Sequence, residues 1–343
     1  MPYELEPLSP EELATWDERI AGFESTQLFH HQVWLDYLVA SCGLQIHQWA
    51  MREGGCTVGY FCAGSFNKGP FLVLGSRLKG WATNFVGPVV NLDYDQGAFR
   101  GAVDELCARE GIATLEIENP LLSDEPMSSH GYEFVAQPTY IVELTLDTDR
   151  MWRRIDLKSR QKVRKAQRAG LAAKESSDAS MTDEYYDRFM EVMTRKGLFA
   201  PYDRERHRLM FKRSYPKDML LGLQVLNPEG QSIPSALFPH DDETIYYWVA
   251  ASRMTGRQYS TNNLMHWSVM EGAINHGLSS YNMGGRGKFK QKFGGALVPI
   301  RRWQKYYSRV ARWGPAAYAR HDGMRIKMLG RWDRLFQLSA EAG

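Results

Sequence analysis

Turn residues and hydrophobic periodicity divide the 343 residues into two stretches with the same order of elements: helix, several strands, helix, strand. In the first, TQLFHHQVWLDYLVASCG reads as an apolar-faced helix stopped at Gly43. The strand-like pieces IHQWAMR, CTVGYFCAGS and GPFLVLGS follow. QGAFRGAVDELCAREG then predicts a helix with Gly111 at its C-terminal stop, and IATLEIENP a strand. The second stretch has a short basic helix, SRQKVRKAQRAG, closed by Gly170, and a longer one, MTDEYYDRFMEVMTRKG, with Thr182 as N-cap. DMLLGLQVLNPEGQSIPSALFPHDDETIYYWVAAS predicts three strands, the last being IYYWVAAS. TNNLMHWSVMEGAINHG reads as a helix capped by Thr261 and stopped at Gly277, and SSYNMGG as a strand. The repetition is of element order, not of residues. It predicts a mixed α/β (α+β) chain of two similar domains, 1–148 and 149–309, with the segment 310–343 completing the first.

Composition narrows the function classes. With 43% hydrophobic and 12% aromatic residues the chain can fill folded cores, yet no window reaches the roughly 18 apolar residues of a spanning helix. The acidic start, MPYELEPLSPEELATWDERI, lacks the basic and apolar regions of a signal peptide, so a cytoplasmic protein is expected. The four cysteines show no CxxC spacing, and the nine histidines form no HxxxH or HExxH set; no metal site is expected. Net charge is only +2, but Arg301–Arg334 carries ten Lys and Arg against two Asp. Such a cluster suits an anionic partner, while the near-neutral total speaks against a coat for nucleic acid.

The stretch GGRGKFKQKFGG, Gly284–Gly295, concentrates five glycines, four cations and two phenylalanines. Phe289 follows Gly287–Lys288 where a Walker A loop needs Ser or Thr, and Lys290 stands where GxGxxG needs its third glycine. A flexible backbone that approaches a ligand closely remains, surrounded by Arg286, Lys288, Lys290 and Lys292. On an extended segment the three lysines share one face and the phenylalanines the other. A solvated hairpin with two core phenylalanines is the competing reading.

Other motifs carry weaker signals. Arg160, Arg164 and Arg168 stack at i, i+4 and i+8 on the basic helix, a ladder suited to phosphates or simply a solvated face. Thr114, Glu116 and Glu118 share one strand face, as paired carboxylates for acid–base work or as an ordinary polar side. PHDDET reads as a hairpin tip. In IYYWVAAS, Tyr247 opposes Tyr246 and Trp248 across the strand, so one side must leave the main core and face a cleft. No GxSxG elbow supports a hydrolase.

In order, SRQKVRKAQRAGL, VMTRKGLFAPY, IYYWVAAS, LMHWSVMEGAINHGLSSYNMGG and FKQKFGG resemble the Fem family of bacterial aminoacyl transferases, more loosely joined by QLFHHQVW, FVGPVV and LEIENP. The resemblance covers most of residues 25–305. It implies two tandem acetyltransferase (GNAT) domains with the cleft mainly in the second. It implies transfer of an amino acid from aminoacyl-tRNA to an amine, such as that of a peptidoglycan-precursor peptide, with no further cofactor. Phe289 and Lys290 match the family's aromatic–lysine pair associated with catalysis. Arg195 and Tyr202 fall about where the family contacts the phosphates and sugar of the acceptor, and Tyr247 near another acceptor-contact tyrosine. An activated ester needs alignment and oxyanion stabilisation rather than a covalent intermediate, and Lys290 is expected to supply that charge.

The alternative is an enzyme of the same fold with an acyl-CoA donor, acting on an amine or amino sugar. In RMTGRQYSTNN, Arg253 and Gly256 fit the pyrophosphate-binding turn of such enzymes, and Gln258 stands where Gly or Ala belongs. A non-catalytic binding module on a degenerate transferase fold is the third class. Met328, Leu329, Trp332, Leu335 and Phe336 lie on one face of an amphipathic C-terminal helix, which packs on the first domain or touches tRNA or a membrane surface.

Overall fold

The computed structural model describes residues 2–76, 86–119, 121–122, 127–252, 259–285, 287–308 and 310–311. Its strands are β1 (Glu4–Pro7), β2 (Gln45–Glu53), β3 (Cys56–Lys68), β4 (Phe71–Gly75), β5 (Val89–Val90), β6 (Thr114–Glu118), β7 (Glu133–Glu143), β8 (Ala172–Glu175), β9 (Leu220–Leu226), β10 (Ser232–Pro239), β11 (Thr244–Tyr246), β12 (Val249–Ser252), β13 (Ser280–Asn282) and β14 (Ala296–Tyr306). The helices are α1 (Pro10–Ala14), α2 (Trp16–Ile20), α3 (Gln32–Cys42), α4 (Gln96–Arg109), α5 (Thr148–Arg154), α6 (Leu157–Arg168), α7 (Met181–Lys196), α8 (Glu205–Ser214) and α9 (Thr261–Asn275). This is the mixed α/β architecture expected. No described helix is long and apolar enough to cross a membrane.

A ten-stranded sheet runs through both halves in the order β1-β2-β3-β4-β6-β14-β7-β13-β11, with β5 paired to β3; a second sheet holds β12-β10-β9-β8. Only β4–β6 and β11–β13 among these neighbours are parallel. The late strand β14 returns between β6 and β7, pairing Trp303 with Ile117 on one side and with Phe134 on the other. One hydrophobic cluster packs α4 on the first half of the sheet around Trp49, Phe61, Phe99 and Trp303. A second packs α6 and α9 on the smaller sheet around Phe238, Met270 and Phe293. The third joins Trp34 and Tyr37 of α3 to Phe211 of α8 and Tyr246, so the two halves share an apolar interface.

Local signals account for most element ends. Gly43 closes α3 at φ 63° and Gly197 closes α7 at φ 63°, in the left-handed conformation that glycine reaches without a Cβ penalty. The caps of α7 and α9 differ from the sequence reading. Ser180 and Ser260 are their N-caps, while Thr182 donates its hydroxyl to the carbonyl of Ala179 and Thr261 is buried as a first helical residue.

Candidate active site

IYYWVAAS is not one strand. Residues 244–246 form β11 in the large sheet, residues 249–252 form β12 in the small one, and the chain changes sheet at Tyr247–Trp248. The three aromatics still alternate. Tyr246 turns to the interface between the halves, 4.7 Å from Phe29, and Trp248 follows it there, 5.7 Å from Tyr37. Tyr247 points the opposite way, its ring 4.9 Å from His266 and 5.9 Å from Phe238. It is partly buried, and that burial raises the pKa of its hydroxyl.

The glycine-rich loop meets this tyrosine. Lys290–Phe293 form a 3-10 turn, so the three lysines do not share the face expected of an extended segment. The turn instead sends Phe289 and Phe293 together onto His266, at 5.3 Å and 5.1 Å. Lys290 folds back: its ammonium bonds the carbonyl of Gly284 and lies 5.2 Å from the centre of the Tyr247 ring. Burial lowers its pKa. Gly284 adopts φ 65°, and a Cβ there would stand 3.9 Å from the Lys290 nitrogen. Arg286 lies outside the described residues.

His266 escaped the sequence reading. It is 2% exposed on α9, its Nδ1 is 2.7 Å from the Tyr281 hydroxyl, and burial followed by the Lys290 charge pushes its pKa down to about 3. A neutral imidazole therefore forms the floor beneath Tyr247, Phe289 and Phe293. Its only sequence signal was one polar residue inside LMHWSVMEGAI, which periodicity cannot tell from an ordinary core histidine.

The basic helix is tied to the same turn. Asp156 caps α6 through Ser159, and its own amide donates to the carbonyl of Lys292 at 2.8 Å. Arg160 is half-buried, with its Nε enclosed and without a hydrogen-bond partner. Arg164 is exposed and lies 5.5 Å over the Trp152 ring, and Arg168 bonds the carbonyl of Arg164.

Arg195 and Tyr202 separate in space. Arg195 is exposed in the last turn of α7. Tyr202 turns inward, its ring 4.9 Å from Phe189 and 5.0 Å from His207, with the Arg206 guanidinium 5.1 Å over it. Both nitrogens of His207 are buried without a hydrogen-bond partner, and burial together with Arg206 pushes its pKa down to about 3. Arg206 in turn donates to the Tyr37 hydroxyl at 2.7 Å, across the interface between the halves.

Two secondary candidates resolve into structural roles. Glu116 is ion-paired to Arg302 on β14 and accepts from Gln304 at 3.3 Å, so it braces the sheet. Asp241, in the PHDDET turn, accepts from the amide of Leu28 at 2.8 Å and from the Tyr246 hydroxyl at 3.3 Å, which ties the turn to the first half.

Residues 157–292 match a family model described as an acetyltransferase (GNAT) domain. Among solved structures, FemX aligns with a TM-score of 0.69 at 15% identity, over 87% of this chain and 96% of its own. The C-terminal domain of a putative lysylphosphatidylglycerol synthetase from Agrobacterium fabrum aligns with a TM-score of 0.51 at 14% identity, over 78% and 86%. A tandem GNAT protein from the clavulanic acid biosynthesis pathway gives 0.51 at 11%, over 89% and 99%. No curated protein sequence matches the chain. The matched GNAT region holds the described residues of the splayed strand and the lysine turn as far as Lys292, and the chain has a FemX-like, GNAT-type fold.

Proposed function

We propose that this chain is an aminoacyltransferase that forms an amide between the amino acid of an aminoacyl-tRNA and an amine on a small peptide-like acceptor, such as a peptidoglycan precursor, in the cytoplasm. Two GNAT-like units, 1–148 and 149–309, make up the enzyme in this reading. The observation that carries it is the half-buried Lys290 ammonium, held by the Gly284 carbonyl and the Tyr247 ring at the point where the strand splits. In the reaction the amine attacks the ester carbonyl, a C–N bond forms, and the ester C–O bond breaks. The tRNA oxygen leaves as a hydroxyl, taking up through solvent the one proton that the attacking nitrogen gives up. Lys290 stabilises the oxyanion of the tetrahedral intermediate, a role a desolvated cation fills better than an exposed one. Phe289 fixes the turn against neutral His266. Arg160, Arg164, Arg195, Arg286, Tyr202 and Tyr247 are the proposed substrate contacts, with exposed Arg164 and Arg195 on the path of the nucleic acid.

The GNAT match favours a second reading, transfer from an acyl-CoA to an amine or amino sugar. The turn that would hold its pyrophosphate, within 253–258, lies outside the described residues, as does nearly all of the basic C-terminal segment proposed for tRNA or membrane contact. Calorimetric titration with acetyl-CoA, CoA and a charged tRNA pool separates the donors. Saturable tRNA binding that weakens with salt, with no heat from CoA, is the expected result. Micromolar CoA binding overturns the tRNA reading in favour of the second.

A further inference from the structure

The first half contains a second concavity, well away from Lys290. A cavity of about 380 Å³ lies between the C-terminal end of α4, the chain around α1 and the faces of β2, β3 and β4. That volume is at the small end of ligand pockets, which span roughly 300–1,000 Å³. Three strands, β6, β14 and β7, separate β4 from β13, which leads into the lysine turn. Four steps of roughly 4.8 Å put the two places on the order of 20 Å apart.

The lining sorts by chemistry. Leu72, Leu74, Leu106 and Ile112 give an apolar wall. Ser65 is 5% exposed, and its hydroxyl is 2.7 Å from Nε2 of His47. The His47 ring stacks on Trp49 at 5.3 Å, which fixes its plane and leaves Nδ1 for another partner. Burial lowers the pKa of His47, so near neutral pH it is a neutral donor or acceptor. A buried serine paired to a half-buried histidine beside an apolar wall is costly to desolvate unless satisfied, and such a pair lining a cavity is suited to a polar ligand group.

Charge decides the sign of that ligand. Among the described residues no lysine or arginine lines the cavity, and with His47 neutral the one ionised residue among them is Glu110. Glu110 also caps α4, its amide donating to the carbonyl of Leu106, so the carboxylate sits where the helix dipole is already negative. Its ion pair with Arg109 at 3.2 Å joins two side chains more than half exposed, and such a pair yields readily to a competing cation.

We propose that this cavity binds a small amphipathic amine, its apolar body among Leu72, Leu74 and Leu106, its ammonium beside Glu110, and a polar group read by Ser65 and His47. The site is independent of the chemistry at Lys290 and stands whichever donor the enzyme uses.

Calorimetric titration of the full chain with tyramine, whose phenol is the polar group, and with 3-(4-hydroxyphenyl)propanoate of similar size and opposite charge, tests it. The expected result is saturable binding of the amine, with the acid at least about tenfold weaker. Glu110→Gln, at an exposed helix end, is expected to weaken the amine several-fold without lowering the melting temperature, and Ser65→Ala to weaken it as well. Lys290→Met is expected to bind the amine as the unaltered chain does, which keeps this site distinct from the proposed cleft. Absence of saturable heat at millimolar amine overturns the proposal. So do an unchanged affinity in Glu110→Gln, equal binding of the acid, or loss of binding in Lys290→Met.

Discussion

The Lys290 ammonium lies 5.2 Å from the centre of the Tyr247 ring and bonds the Gly284 carbonyl, so the loop and the strand meet at one charge. Lys290→Met keeps the length of the side chain and removes that charge. Transfer is expected to fall about 100- to 1,000-fold in kcat, the effect of losing one oxyanion-stabilising group. The melting temperature is expected to hold or rise, since a desolvated ammonium is gone. Single-turnover transfer beside a thermal melt checks both.

Burial lowers the Lys290 pKa, which gives activity and stability opposite alkaline responses. If the ammonium is the working form, activity declines as pH rises through a value below the ordinary lysine pKa of about 10.4. Between the folded and unfolded values the unfolded chain binds more protons, so the contribution of Lys290 to stability rises with pH over the same window. A pH–rate profile and alkaline melts, compared with those of Lys290→Arg, test this pairing.

His30, His207 and His266 are each buried, with pKa pushed from the ordinary 6.5 down to about 3. Below 6.5 the unfolded chain takes up protons that the folded chain refuses. Stability is therefore full above that value and falls as the pH drops towards 3, by about 1.4 kcal/mol per pH unit for each histidine. Urea melts between pH 7 and 4 should show this loss, and replacing any one histidine with Phe should flatten the slope.

His207→Phe is expected to stabilise the chain even at neutral pH. The ring is surrounded by Tyr185, Tyr202 and Trp248, and neither nitrogen finds a partner. An unsatisfied buried polar group costs about 1–3 kcal/mol, and a ring of similar shape removes the cost without opening a cavity. A denaturation midpoint that falls would show that the imidazole has a role the packing does not reveal.

Gly294→Ala is expected to destabilise by about 1–2 kcal/mol from the left-handed backbone alone. Gly294 has φ 80°, and an added Cβ would meet the Cβ of Arg154 at 3.0 Å and its carbonyl oxygen at 3.1 Å. The turn carrying Lys290 must then shift, so transfer should fall further than stability predicts. Transfer and melting of Gly294→Ala, set against a surface Gly230→Ala control, separate the two effects.

Helix positions, glycine stops and strand pieces were legible because they depend on neighbours within one turn or one hairpin. Gly43 closes its helix in the left-handed conformation expected of it, and the positive φ of Gly111 and Gly170 fits their places at helix ends. The loop was legible as a candidate because five glycines and four cations crowd it, and the resemblance to the Fem family singled out Phe289 and Lys290 within it. What residue types alone left open was which way each side chain turns. The extended reading of Lys288, Lys290 and Lys292 failed because the apolar contact of Phe289 and Phe293 with His266 winds the loop into a 3-10 turn. IYYWVAAS alternates as one strand in sequence, yet its ends pair with different partners, β13 and β10, and only those distant strands decide that it splits at Tyr247. Nothing in the sequence set His207 and His266 apart from ordinary core histidines, because burial and loss of charge arise from residues far along the chain. Local propensity and patterning thus determined the elements and the candidate loop. The side-chain cluster around Lys290, the neutral histidines and the shared sheet came from long-range pairing, which sequence periodicity does not encode.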